Sequence, residues 1–223
     1  MARLILASAS PRRREMLGAL EVEYVAVSPD VEELTEGAPP EELVVENARR
    51  KAQAGLRLGG GEEDVVLGVD TEVVLDGRLL GKAASVDEAR ERLLALSGRT
   101  HEVLSGVCLT EVGGKRGAKR PKFPPAGQVL PERVGVARAL VTFIDLDDRT
   151  LELYLASGEW RDRAGAYAIQ GLGSVLVERL EGDFSNVVGL PLQLLLRLAP
   201  ELFSDISSGS GQQAEKPGPS VHP

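Results

Sequence analysis

Cysteine and histidine are nearly missing from this chain of 223 residues: Cys108 is the one cysteine, and His101 and His222 are the two histidines. A single thiol excludes an internal disulfide framework and a thiolate zinc cage. Two histidines leave no cluster for a His-rich metal site. Positive charge is in deficit, with 26 Lys and Arg against 34 Asp and Glu for a net charge of −8. Wholesale binding to nucleic acid or anionic lipid needs a positive field, so neither partner is expected. The opening segment has no long apolar run, because Leu4-Ile5-Leu6-Ala7 spans only four residues, too short for a signal peptide or membrane span. What remains is a soluble, cytoplasmic globular protein whose chemistry falls to carboxylates, Lys and Arg. Apolar residues make up 43%, enough at this size to bury roughly 70% of the unfolded surface. At roughly 150 residues per domain the length reads as one domain plus extras.

The hydrophobic pattern alternates strands with helices. Leu4–Ala7 reads as a short buried strand that turns through Ser8-Ala9-Ser10 into a helix, with Ser10 as N-cap and Pro11 at the first helical position. Val22–Val27 has strand alternation, Pro29–Pro40 is an acidic loop, and Leu43, Val44, Ala48 and Ala52 recur at helical spacing over 41–58. A β-branched run from Asp64 reaches Asp70-Thr71 and Leu75, where Asp76-Gly77 predicts a hairpin turn. Ser85 to Glu88 is a capping box for a helix ending near Gly98. Strands are expected at about 101–110, 134–146 and 174–178, with helices at about 147–156 and from Pro191 to Pro200. The absence of strict βαβ alternation favours a mixed α/β sheet over a purely parallel one. From Ser204 to Pro223 the chain is Ser, Gly, Gln and Pro with little to bury, so this tail is expected to be disordered.

Three clusters could bear chemistry. Arg12, Arg13 and Arg14 crowd the first turn of the Pro11 helix, where cations oppose the helix dipole. The conflict is resolved if an anion sits there, held by free backbone N–H groups, Ser8 and the guanidinium forks. The other reading is three solvated arginines on a surface helix. Neighbouring helical residues point about 100° apart, so Arg12 and Arg13 cannot face one phosphate in the same way. Asp70 ends an apolar strand, where α/β sheets open their ligand crevices. It suits a divalent cation or a proton taken from water, or else it caps the next turn. Gly77 to Ala83 superficially resembles a P-loop, but the glycine spacing is short and Ala83 stands where a Mg²⁺-binding hydroxyl is required. Lys82 remains a phosphate-binding candidate. Glu32-Glu33 either completes a metal site with Asp70 or is a solvated pair. Glu46 with Arg49 and Arg50 reads as ordinary helix ion pairing, His101 as structural, and Cys108 as a buried thiol.

Seven segments occur together in a fixed order: Ser8-Ala9-Ser10-Pro11-Arg12-Arg13, Glu46 to Ala52, Gly68-Val69-Asp70-Thr71, Leu79 to Lys82, Leu96 to His101, Ala164 to Gly171, and Asn186 to Pro191. In this order they resemble the Maf family over about Arg3 to Phe203. The resemblance implies a two-lobed α/β fold, an elongated twisted mixed β-sheet flanked by helices with a nucleotide cleft between the lobes. It implies a nucleoside triphosphate pyrophosphatase that cuts the α–β phosphate bond with Mg²⁺ or Mn²⁺, and homodimers are common in the family. By matching motif, Asp70 becomes the general base or metal-linked carboxylate, and Glu33 helps hold the metal. Ser8, Arg12, Arg13, Lys51 and Lys82 bind the triphosphate, while Arg13, Thr71 and Gln170 tune base choice. Pro-Arg-Arg with Asp-Thr resembles the branch acting on dTTP and UTP. Two alternatives stand beside it: a non-catalytic nucleotide-binding regulator of cell division, and a pyrophosphatase for modified nucleotides such as 7-methyl-GTP.

The sequence departs from the family pattern at three places. Glu72 stands where an apolar residue is expected and should face away from Thr71. It either adds a carboxylate near the metal or reaches solvent. Arg163 replaces a usual Lys, and Ala168 replaces a usual Gly. The stretch 113–133 is a long insert rich in Lys and Arg that lacks the interleaved aromatics of RNA-binding segments, so it reads as a solvated loop within a 1–203 domain.

Overall fold

The computed structural model of the protein describes residues 3–59, 64–111 and 132–203. The tail from Ser204 and nearly all of the basic insert lie outside the described residues. The last two insert positions, Glu132 and Arg133, instead begin a strand.

Among the described residues seven strands form one mixed sheet: β1 (Leu4–Ala7), β2 (Tyr24–Val27), β3 (Val65–Leu75), β4 (Arg78–Leu79), β5 (Thr100–Glu111), β6 (Glu132–Phe143) and β7 (Val177–Gly182). Their order is β2-β1-β3-β5-β6-β7, with β4 on β3. β1 pairs in parallel with β2 and β3, whereas β3, β5, β6 and β7 pair antiparallel. The helices are α1 (Pro11–Ala19), α2 (Pro40–Gly59), α3 (Val86–Leu96), α4 (Asp148–Ser157), α5 (Phe184–Val188) and α6 (Leu192–Leu198). Among the described residues no helix is long and apolar enough to cross a membrane.

Local expectations hold with instructive exceptions. Ser85 accepts from Glu88 N–H at 3.2 Å, but Glu88 takes the Ala84 N–H at 3.0 Å, so the box closes one residue early. Ser10 caps α1 without a side-chain bond; its own N–H donates to Ser8 Oγ at 3.2 Å. The strand expected at 174–178 begins at Val177, because Gly171–Leu176 winds into a 3₁₀ turn. Glu159 draws in that turn by accepting the Leu172 and Gly173 N–H groups, both at 3.0 Å. The short helix α5, capped by Asp183, was not expected.

Two apolar cores lie along β3. Leu67 and Val69 pack with Leu17 of α1 and Leu194 and Leu195 of α6. Val73 and Leu75 pack with Leu93 and Leu96 of α3 and Leu151 and Tyr154 of α4. Asp70, Thr71 and Glu72 fall where one core gives way to the other. On the opposite face α2 lies directly on the sheet, with Ala48 and Ala52 against Ile5 and Val66. That approach needs glycine, since a Cβ on Gly68 would stand 2.0 Å from Ala48 O and one on Gly106 2.1 Å from Val44 O. Gly106 pairs with Asp70 across the sheet, so the close packing also sets the distance from α2 to Asp70.

Gly106→Ala is therefore expected to lower stability by about 1–3 kcal/mol through overpacking against backbone, read as a lower urea midpoint. An unchanged midpoint would show that α2 can lift off the sheet at no cost.

Candidate active site

The site follows from one mismatch of strand lengths. β1 ends at Ala7, opposite Gly68, while β3 runs on to Leu75. β5 covers the other edge of β3 from Val65 to Val74, and β4 rejoins the first edge only at Val74. Among the described residues the β3 edge from Val69 to Glu72 thus has no strand partner, and side chains on both faces of β3 reach one opening.

On the α2 face, Asp70 is 3% exposed. Lys51 Nζ lies 2.5 Å from Asp70 Oδ1 and 2.6 Å from Glu33 Oε1. Asn47 Nδ2 donates to Asp70 Oδ2 at 3.2 Å. Asn47 also holds the acidic loop, accepting from Leu34 N at 2.7 Å and donating to Leu34 O at 2.9 Å. That bond seats Glu33, one residue away. Glu72, two positions along β3 from Asp70, turns to the same face. It is buried, and one carboxylate oxygen each of Glu33, Asp70 and Glu72 lie within 4.8 Å of one another. Burial raises the Glu72 carboxyl to about 8, with Asp70 and Glu33 adding repulsion. Burial also acts to raise Glu33, but Lys51, Lys82 and Arg13 outweigh it and hold that carboxyl below its ordinary range.

On the other face, Arg13 is buried yet, among the described residues, bonded only to neutral acceptors. Its Nε donates to Gly189 O at 2.7 Å, Nη1 to Ser8 Oγ at 3.0 Å, and Nη2 to Thr71 Oγ1 at 3.0 Å. Burial lowers its pKa against the pull of Asp70, Glu33 and Glu72. Thr71 Oγ1 lies 2.8 Å from Ser105 Oγ on β5. Arg12 Nε donates to Val188 O at 3.2 Å. The carbonyls of Val188 and Gly189 therefore orient the two arginines. Asn186 anchors their helix by donating to Val103 O at 2.9 Å.

The opening is a cavity of about 850 Å³, within the range of small-molecule sites. Ser8, Arg12, Arg13, Glu33, Lys51, Asp70, Thr71, Lys82 and Gln170 all line it, so the sheet brings every site residue expected from sequence to one place. Lys82 bridges to Ala164 through its backbone, and its ammonium has no ion-pair partner among the described residues. Three exposed or half-buried cations beside three clustered carboxylates give a surface that can neutralise a polyanion while holding a hard cation through oxygen ligands.

The family model described as Maf-like protein matches residues 3–202. The chain belongs to the Maf-like family. A relative from Desulfitobacterium hafniense called dTTP/UTP pyrophosphatase is 43% identical, the match covering 85% of this chain and 81% of the relative. One of the same name from Thermococcus onnurineus is 40% identical, with 87% and 95% covered. A solved structure of the Staphylococcus aureus Ham1 protein shares 15% identity and covers 64% of this chain and 72% of that one, at a TM-score of 0.40, an overlap too partial to bear on the fold.

Several residues of this Maf-like site were not singled out by sequence. Asn47 stands four residues before Lys51, so one helix face sends both to Asp70, and that spacing was a readable signal. Ser105 is visible only once β5 is registered against β3. Arg161 also lines the cavity, beside Arg163, the departure noted in the sequence, whose Nη1 is buried without a hydrogen-bond partner among the described residues. His101 is structural as expected: its Nε2 lies 2.8 Å from Tyr167 Oη, and burial lowers its pKa to about 4. Cys108 is fully buried and its thiol is pushed up to about 12.

The Glu72 shift has a consequence for stability. Its folded-state pKa of about 8 exceeds the ordinary 4.5, so the folded state holds the proton more tightly than the unfolded chain. The associated stability is complete below about pH 4.5 and is lost as pH rises through 8. In chelator, the melting temperature of the wild type is expected to fall between pH 5 and pH 8 more steeply than that of Glu72→Gln. Parallel profiles would contradict this placement of the carboxyl.

Proposed function

We propose that the protein is a nucleoside triphosphate pyrophosphatase acting on dTTP and UTP. It would release the nucleoside monophosphate and pyrophosphate with the help of Mg²⁺ or Mn²⁺. The observation behind this reading is that one cavity joins Asp70 and Glu33 to Ser8, Arg12, Arg13 and Lys82 across the open edge of β3, in a chain 43% identical to a relative called dTTP/UTP pyrophosphatase.

In this reading the triphosphate lies along the cationic side. Ser8, Arg12 and Lys82 supply donors, and so do the N–H groups of Arg13 not given to Gly189, Ser8 and Thr71. Glu33 and Asp70 provide hard oxygen ligands that would hold a divalent cation, whose charge would help neutralise the phosphates. Asp70 accepts a proton from water as the water oxygen bonds to the α-phosphorus. The bond from that phosphorus to the bridging oxygen breaks, and pyrophosphate leaves with the bonding pair. Lys51, bridging Asp70 and Glu33, keeps the two carboxylates together and neutralises charge beside the phosphates. Thr71, tied to Arg13 and Ser105, and Gln170 on the far wall flank the space left for the base. None of these steps needs histidine, cysteine or an organic cofactor.

With Mg²⁺, purified protein is expected to convert dTTP and UTP to monophosphate and pyrophosphate. Asp70→Asn should lose about 10²–10⁴-fold in kcat. Saturable nucleotide binding with no product over hours, even with Mn²⁺, would overturn catalysis in favour of a binding role. Faster turnover of 7-methyl-GTP than of dTTP would overturn the substrate assignment alone.

A further inference from the structure

Glu72 has no part in the reaction described above, yet its placement is unusual. Only 9% of the residue is exposed, and Oε2 is buried without a hydrogen-bond partner among the described residues. A carboxylate oxygen taken from water and left unpaired is costly unless something binds it. Glu72 is aimed at company of its own kind, since one of its oxygens lies within 4.8 Å of oxygens of both Glu33 and Asp70. Among the described residues no cationic group makes an ion pair with it. Lys51 Nζ answers Asp70 and Glu33, and Arg13 gives three of its five N–H groups to Gly189, Ser8 and Thr71 and none to Glu72. Lys51 is thus in ion-pair contact with Asp70 and Glu33 and not with Glu72, so the Glu72 carboxylate is the member of the trio left for a cation to bind.

We propose that Glu72 is a third carboxylate ligand of a divalent-cation site shared with Glu33 and Asp70, and that this trio takes the cation before any nucleotide binds. The inference rests on the metal-assisted reading of the cavity and extends it to a site independent of substrate. Mg²⁺ held by one or two carboxylates depends on substrate phosphates to complete its shell. A third carboxylate lets the protein hold the ion alone. Donors that are all oxygen select Mg²⁺ or Mn²⁺ over metals that favour nitrogen or sulfur.

The test is titration of Mn²⁺ into the metal-stripped full chain without nucleotide, following the free-ion signal by electron paramagnetic resonance. Wild type is expected to bind one Mn²⁺ per chain. Glu72→Gln and Glu72→Val should each weaken binding at least tenfold, with melting curves in chelator showing that both remain folded. Affinity unchanged in both variants would refute ligation by Glu72. If Asp70→Asn lost the ion in that same case, a two-carboxylate site would stand in its place. No saturable binding by the wild type would also refute the inference. Metal-dependent release of pyrophosphate from dTTP, assayed in parallel, would then show whether the pyrophosphatase reading survives without it.

Discussion

The site depends on a strand that outruns its neighbour. β1 stops opposite Gly68 and β3 continues to Leu75, so the edge of β3 is bare where the two apolar cores meet. A β-strand sends alternate side chains to opposite faces, and a buried strand would keep Asp70 and Thr71 in separate compartments. At a bare edge both faces open to the same space. Asp70 and Glu72 enter it from the α2 side, and Thr71 enters with Arg13 from the α1 side. The segregation of acid from base across a single strand follows from that geometry and from nothing more elaborate.

Neutral groups hold the cations, and a cation holds the acids. Arg13 is oriented by a backbone carbonyl and two hydroxyls, which fix its direction without cancelling its charge. Asp70 and Glu33 share Lys51, which offsets their repulsion at short range. The cavity therefore keeps net positive character on one wall although the whole chain carries −8. At contact distances local charges dominate, since distant ones are screened within roughly 8–10 Å at physiological salt.

Much of this was legible in the sequence because the signals are local. Pro11 after Ser8-Ala9-Ser10 marks the turn into α1, and the β-branched run marks β3. Of the three arginines in the first turn of α1 two, Arg12 and Arg13, line the cavity, while Arg14 turns to Ser8 O and Ser28. What was not legible depends on contacts between distant segments. The 3₁₀ turn at Gly171–Leu176 exists because Glu159 caps it from another loop. The side on which Glu72 leaves the strand, opposite Thr71, follows from alternation, but whether that face is wet or dry depends on where β1 ends. The role of Asn47 needed α2 to be seated on Gly68 and Gly106, a packing relation that residue spacing alone does not state.

The central claim is that a triphosphate lies across the bare edge of β3 with its α-phosphorus beside Asp70. The most direct measurement is a crystal structure of the complex with Mn²⁺ and a dUTP analogue whose α–β bridge resists hydrolysis. The account predicts phosphate oxygens among Ser8, Arg13 and Lys82, with the α-phosphate the group nearest Asp70. An analogue bound with its base at Asp70, or bound outside this cavity, would contradict it.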